Sequence, residues 1–227
     1  MSLPVFSRNG VFFWCAGFIV RLRYTFVLVS LLMAALAHRT VMGCLVWLAA
    51  VTFGVLLHEL GHALMARYYG GQPVIELHSM GGETSWTWTR SPRWTRLIVC
   101  SLAGPGIGIA FGFLLGFVLP LIPLSGALFW FAFLADDIRW VTFGWSFFNL
   151  LPILPLDGAQ ALEAVIAHRW GPERARHRMR ILSIGAGVVG LIVGISLRQI
   201  WIAMLCALFA YNNAQALRGL PGIRIRG

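Results

Sequence analysis

Long apolar runs separated by short polar segments dominate the chain. They cover roughly residues 24–37, 41–66, 94–119, 126–151, 181–197 and 200–217. A helix needs about 20 predominantly apolar residues to cross the hydrocarbon core of a bilayer, and several of these runs reach that length. The pattern predicts an all-α polytopic membrane protein with about six transmembrane helices, built as a single membrane-embedded domain over residues 1–227.

The first run is short, and the sequence AALAH at its end resembles a signal-peptidase site. A cleaved signal peptide is therefore one alternative for residues 24–37. A signal peptide has a brief charged start, whereas 23 residues precede this run. We expect the first helix to be retained.

Two segments outside the apolar runs have the alternating pattern of strands. GVFFWCAGFIVRLRY, residues 10–24, predicts a small hairpin at the membrane surface. GGQPVIELHSMGGETSWTWT, residues 70–89, contains Gly and Pro at its turns and predicts a short β-hairpin or ribbon. An interfacial loop that places its tryptophans in the aromatic belt is the alternative for the second segment.

The composition supports a membrane location, and the charges predict the topology. The chain is 59% hydrophobic and only 11% charged, with a formal net charge of +10. Its basic residues are all arginines, and a cytoplasmic amino terminus would leave only Arg39, Arg139 and Arg198 outside. The positive-inside rule therefore predicts a multi-pass protein of the cell membrane with both termini in the cytoplasm.

The most basic segment is HRWGPERARHRMR, residues 168–180. Binding of nucleic acid is one interpretation of such a cluster. Arginines beside a membrane span are equally typical of contact with anionic lipid headgroups, which requires no further partner. We expect anionic lipid at the Arg-rich loops and no nucleic acid.

Glycines recur every fourth residue in the third run, at Gly104, Gly108, Gly112 and Gly116. On a helix this spacing forms one smooth face along which another backbone can approach closely. A nucleotide-binding glycine loop would need a preceding strand, which the pattern does not predict. The glycines therefore predict a helix-packing surface, and Gly190 with Gly194 predicts a weaker one in the fifth run.

The second run contains LLHELGHALMAR, residues 56–67. On a helix His58 and His62 are about 40° apart around the axis and about 6 Å apart along it, so both imidazoles can reach one metal ion. Glu59 projects beside them and can accept a proton from water on that ion. This H-E-x-x-H arrangement predicts a metal centre with His58 and His62 as ligands and Glu59 as the catalytic base. A helix end at the interface, where these side chains simply meet water, is the alternative.

Catalytic zinc usually has three protein ligands, so a third must come from elsewhere in the chain. FNLLPILPLDGAQAL, residues 148–162, offers Asp157, which follows two prolines that should break the fourth helix. With the predicted topology the second and fourth helices run in the same direction, which brings His62 and Asp157 to the same membrane face. Asp157 is the candidate third ligand, and a helix cap is the alternative.

The segments LLHELGHALMARYYG, SLAGPG and FNLLPILPLDGAQAL together resemble the site-2 protease family over about residues 11–165. The resemblance implies that His58, His62 and Asp157 hold one zinc ion per chain and that Glu59 is the base. It also implies that Asn149 binds substrate backbone and that a β-ribbon around Gly81 and Gly82 lies near the active site. The chain has Ala159 where many members have a second Gly. We expect a minimal form without a PDZ or CBS domain, with the catalytic core at about residues 24–165 and additional helices at about 181–217.

The predicted function is therefore that of an intramembrane zinc metalloendopeptidase. The resemblance implies that its substrates are transmembrane segments of tethered regulators, such as anti-sigma factors, pro-sigma factors or transcription factors. Two alternatives remain open. One is a catalytically silent relative that holds client helices without cutting them, and retention of Glu59 argues against it. The other is a metal transporter, which should show ligand clusters at several depths.

Overall fold

The computed structural model describes residues 5–7, 9–37, 39–88, 92–121 and 129–220. The strands of the described chain are β1 (Val5–Ser7), β2 (Gly10–Cys15), β3 (Phe18–Arg23), β4 (Gln72–His78) and β5 (Gly81–Thr87). Its helices are α1 (Tyr24–Leu36), α2 (Val41–Tyr68), α3 (Trp94–Val118), α4 (Phe129–Asn149), α5 (Asp157–Trp170), α6 (Pro172–Ser196) and α7 (Ile200–Leu217).

These elements form two compact units. The first contains all five strands with α1, α2, most of α3 and nearly all of α4. The second contains the first turns of α3 together with α5, α6 and α7.

Four helices of the described chain are long and apolar enough to cross a membrane: Val41–Tyr68, Trp94–Leu121, Pro172–Ser196 and Ile200–Leu217. They coincide with four of the six predicted spans and identify a membrane protein. Helix α1 has 13 residues, about 20 Å, which is short for a hydrocarbon core of about 30 Å. Helix α4 includes three charged residues, Asp136, Asp137 and Arg139, and is not among these four helices. The total of six spans stays a prediction.

Both segments predicted to form hairpins do so. Strands β2 and β3 pair antiparallel around Ala16 and Gly17, whose φ angles of 48° and 79° are those of a two-residue hairpin turn. Strands β4 and β5 pair antiparallel in the register Ile75 to Thr84 and Leu77 to Gly82. The interfacial loop considered for residues 70–89 is therefore wrong.

The two hairpins belong to one sheet. Strand β3 pairs parallel with β4, which gives a five-stranded sheet in the order β1-β2-β3-β4-β5. The chain between the parallel strands makes the crossover through α1 and α2. The described chain is mostly helical with a small sheet, in line with the predicted class, although the sheet is larger than the ribbon that the sequence predicts. Its inner face builds a core. Phe18, Val20, Ile75 and Leu77 are buried in one cluster with residues of α2.

The glycine face of α3 packs as predicted. A Cβ added at Gly108 would lie 2.1 Å from Ser146 Oγ, and one added at Gly112 would lie 3.0 Å from the Phe143 ring. Only glycine allows α3 to lie this close to α4. In the second unit a Cβ at Gly194 would lie 2.8 Å from the backbone of Ala203, so α6 approaches α7 in the same way.

A bidentate ion pair ties α4 to the segment before α2. Arg39 donates from both terminal nitrogens to Asp137, at 2.7 and 2.9 Å. Its guanidinium also lies over the rings of Trp47 and Phe133, at 4.7 and 5.3 Å from their centroids. The Asp137 side chain is only 9% exposed and that of Arg39 is 22% exposed, so the ion pair is largely shielded from solvent.

We predict that Asp137→Ala destabilises the protein by about 3 kcal/mol, since it leaves a largely desolvated arginine without its carboxylate. Asp136→Ala is the matched control, because Asp136 lies beside it, is 52% exposed and pairs with Arg139 within the same helix. Loss of such a surface pair costs about 0–1 kcal/mol. Reversible unfolding in mixed micelles measures the free energy of unfolding of both variants. Equal decreases would show that the pair of Arg39 with Asp137 stabilises the protein no more than a surface ion pair.

Candidate metal centre

His58, Glu59 and His62 lie together in the C-terminal half of α2 and are 2%, 3% and 4% exposed. The Nε2 atoms of the two imidazoles are 3.1 Å apart. One ligand atom from each of the three residues lies within 4.8 Å of the others. Among the described residues, no other group of three His, Cys, Asp or Glu side chains has a comparable arrangement.

The separation of the imidazoles fits a shared metal ion. Zinc is bound by histidine nitrogen at about 2.0–2.1 Å, and two ligands of a tetrahedral ion at that distance are about 3.3 Å apart. The observed 3.1 Å is close to this value. The position of the two imidazoles is therefore compatible with a metal ion bound between them, and their assignment as ligands stays a prediction.

The His62 ring lies directly against the backbone of α3. A Cβ added at Gly104 would lie 2.2 Å from His62 Nε2 and 2.6 Å from its Cε1. One residue earlier in α2, a Cβ at Gly61 would lie 2.6 Å from the carbonyl oxygen of Ala103. The first glycine of the predicted packing surface thus makes room for an imidazole, which gives it a part in the site.

Strand β5 holds the Glu59 carboxylate. The Thr84 hydroxyl lies 2.7 Å from Glu59 Oε2, to which it donates, and 3.1 Å from the Glu59 main-chain oxygen. A Cβ added at Gly82 would lie 2.5 Å from both Cγ and Oε1 of Glu59. Because Gly82 and Thr84 alternate with exposed residues of the strand, both face α2. The sheet therefore fixes the side chain that the sequence predicts to be the base.

The turn between β4 and β5 adjoins an aromatic wall of the site. A Cβ added at Gly81 would lie 2.2 Å from the Trp145 ring, and that ring meets His58 edge-on, with centroids 6.4 Å apart. At the same turn the main-chain N–H of Met80 donates to His78 Nδ1 at 3.3 Å. Burial lowers the pKa of His78, although nearby Glu83 opposes the shift. Gly81 and Gly82 thus lie beside the site, and their predicted role in binding substrate stays a prediction.

The remaining predicted site residues, Asn149 and Asp157, lie in the segment FNLLPILPLDGAQAL, residues 148–162. Asn149 is the last residue of α4 and is 7% exposed. Asp157 is 9% exposed and is the first residue of α5. The prolines follow the end of α4 as predicted, and Asp157 and Gly158 lie in the first turn of α5. The assignments of Asp157 as third ligand and of Asn149 as substrate-binding residue stay predictions.

Sequence reasoning missed Thr84 and Trp145. Neither belongs to a motif, and each is more than 20 residues away in the sequence from the site residue that it contacts, Glu59 for Thr84 and His58 for Trp145. The alternation of β5 could have placed Thr84 on the face of Gly82, but only once the strand was known to lie against α2.

The chain is similar in structure to the site-2 protease from Methanocaldococcus jannaschii, with a TM-score of 0.65 and 21% sequence identity over 100% of both chains. No protein-family model and no curated protein sequence matches it. The chain therefore has the fold of a site-2 protease. The similarity includes α6 and α7, which lie beyond the segment covered by the sequence motifs.

We predict that Gly104→Ala weakens zinc binding about tenfold or more, because the added methyl group displaces the His62 ring from its position. Gly106→Ala is the control on the same helix, since nothing lies within 4 Å of a Cβ at Gly106. That variant should keep its zinc affinity and gain stability from the higher helix propensity of alanine. Chelator competition measures the affinities, and equal values for the two variants would contradict the close packing of His62.

Proposed function

We propose that the protein is an intramembrane zinc endopeptidase that cuts transmembrane segments of membrane-tethered regulatory proteins. The proposal is carried chiefly by one observation: two imidazole nitrogens 3.1 Å apart are buried with a carboxylate in a helix that is long and apolar enough to cross a membrane. The fold of a site-2 protease supports the same conclusion.

In this proposal His58, His62 and Asp157 hold one zinc ion. Two imidazoles with a carboxylate form one of the ligand sets of catalytic zinc, which keeps its fourth position for water or substrate. When bound, the metal activates water and polarises the scissile carbonyl. Support for Asp157 comes from the motif order and from the fold.

Glu59 takes the role of general base and acid. Its carboxylate accepts the proton that water loses and returns it to the leaving amine. The Thr84 hydroxyl occupies one side of Oε2, and the backbone at Gly82 closes against Oε1 and Cγ. These contacts hold the carboxylate in one orientation, so that little reorganisation is needed when the proton moves.

Substrate must be unwound before it is cut, because a helix hides its carbonyl groups in hydrogen bonds. Strand β5 lies at the edge of the sheet, and an edge strand can pair with an extended peptide through main-chain hydrogen bonds. We propose that the strand around Gly81 and Gly82 binds unwound substrate in this way and that the Asn149 amide holds its backbone. Anti-sigma factors, pro-sigma factors and tethered transcription factors are substrates of the proposed kind.

The proposed location is the cell membrane, with both termini and the active site toward the cytoplasm and with anionic lipid at the Arg-rich loops. The arrangement favours an enzyme over a metal transporter. Transport would use metal-binding groups at several depths, whereas the described residues contain one such group. It also favours an enzyme over a silent binding protein, since Glu59 is held in one orientation beside the ligands.

Glu59→Gln should keep its zinc and lose cleavage by at least about a hundredfold, since the amide cannot accept the proton. Glu83→Gln is the matched control on β5, because the Glu83 side chain is 58% exposed, and it should cleave normally. The assay combines zinc quantification with cleavage of a panel of single-span substrates. Near-normal turnover by Glu59→Gln would overturn the assignment of the base, and a wild-type protein without zinc or cleavage would overturn the proposed function.

Thr84→Val should lower kcat about ten- to a hundredfold while zinc content stays constant, because valine keeps the shape of threonine without its hydroxyl. Thr84→Ser restores the donor and should recover most of the activity. Thr87→Val tests the same substitution at an exposed position of β5 and should have little effect. If Thr84→Val and Thr87→Val cleave equally well, the hydroxyl has no role in holding Glu59.

A further inference from the structure

The segment between α4 and Asp157 is held by side chains from the last two helices. The main-chain N–H of Leu154 donates to Ser183 Oγ of α6 at 2.8 Å. The carbonyl oxygen of the same residue accepts from Asn213 Nδ2 of α7, also at 2.8 Å. Both polar groups of one residue, three positions before Asp157, are thus bonded to two different helices.

Ser183 and Asn213 are themselves fixed. Ser183 is fully buried, and its hydroxyl donates to the Met179 carbonyl oxygen at 2.6 Å. Asn213 is 6% exposed, and its amide also donates to the Phe209 carbonyl oxygen at 2.8 Å. Each side chain therefore satisfies a backbone group of its own helix and one of Leu154. A side chain with two such bonds holds its partner in one place.

The physical need for these bonds follows from the conformation of the segment. Leu154 lies between α4 and α5, so its main-chain N–H and carbonyl groups are outside the regular backbone hydrogen bonding of a helix or strand. A buried backbone group without a hydrogen bond costs several kcal/mol in an apolar environment. Leu154 is half-buried, so removal of either side chain would leave one of its main-chain groups without this partner and weaken the hold on the segment.

Further contacts on either side of Asp157 hold the rest of the segment in place. Ile153 is fully buried, and its carbonyl oxygen accepts from the Leu156 N–H at 2.8 Å. A Cβ added at Gly158 would lie 2.1 Å from the Leu150 carbonyl oxygen, so the start of α5 is pressed against the end of α4. Asp157 lies between these two fixed points.

We infer that Ser183 and Asn213 are positioning residues for the metal centre, which act by holding the segment that carries Asp157. The inference rests on the proposed function, because it takes Asp157 to be a zinc ligand. It gives α6 and α7 a part in the site: they supply the polar groups that keep the third ligand in place.

The first test concerns the contacts and needs no metal. In the metal-free protein, Ser183→Ala and Asn213→Leu should each increase amide hydrogen exchange in a peptide covering residues 150–156. Ser196→Ala and Gln215→Ala are the controls, because the exposed Ser196 hydroxyl and the half-buried Gln215 amide donate within α6 and α7, respectively. They should leave the exchange unchanged. Unchanged exchange in both Ser183→Ala and Asn213→Leu would overturn the inference.

The second test is a double-mutant cycle on zinc affinity, measured by chelator competition. Ser183→Ala and Asn213→Leu should each weaken binding about tenfold in the wild-type background, in the range typical of residues that support a ligand. In an Asp157→Ala background they should weaken it no further, because the ligand that they position is gone. A general packing defect would instead weaken binding equally in both backgrounds, and that result would overturn the inference.

Different results would contradict the proposed ligand set and the inference about Ser183 and Asn213. If Asp157→Ala leaves zinc affinity unchanged, the proposed ligand set is wrong, and the inference falls with it. If Asp157→Ala weakens binding while neither Ser183→Ala nor Asn213→Leu does, the ligand set stands and the inference alone is wrong. Because the two variants break separate bonds on separate helices, one can be tested even if the other does not fold.

Discussion

The fold is organised around two imidazoles and a carboxylate buried in an apolar helix. Ionisable side chains are costly inside a membrane protein unless other groups bind or bond them, and His58, Glu59 and His62 are all less than 5% exposed. Helix α3 and strand β5 supply such contacts because their backbones lie close to these side chains. The backbone of α3 contacts the His62 ring at Gly104, and β5 contacts Glu59 through Gly82 and Thr84.

This requirement explains why a largely helical membrane protein contains a five-stranded sheet. A strand offers main-chain and side-chain groups at a fixed spacing along one face, and β5 uses two alternate positions of that face to hold a carboxylate. The sheet in turn needs a core, which Phe18, Val20, Ile75 and Leu77 build against α2. The edge position of β5 leaves its outer side free of neighbouring strands in the described sheet, which suits the proposed binding of an extended peptide.

Much of this could be predicted from the sequence, because the signals are local. The spacing of His58 and His62, the glycine period of α3, the prolines after Asn149 and the alternation of both hairpins each lie within about 20 residues. The parallel pairing of β3 with β4 could not be predicted, since it joins residues more than 50 positions apart and carries no turn signal. Thr84 was missed for the same reason, because its partner Glu59 lies 25 residues away. The bonds from Ser183 and Asn213 to Leu154 likewise depend on tertiary packing.

We propose that this chain holds zinc with two histidines and one carboxylate and that Glu59 stays free of the metal. X-ray absorption at the zinc edge of the purified protein tests it most directly. With this ligand set we expect one zinc per chain, with only nitrogen and oxygen neighbours at about 2.0–2.2 Å and outer scattering from two imidazoles. Sulfur neighbours at about 2.3 Å, a number of imidazoles other than two, or protein purified without stoichiometric zinc would contradict it.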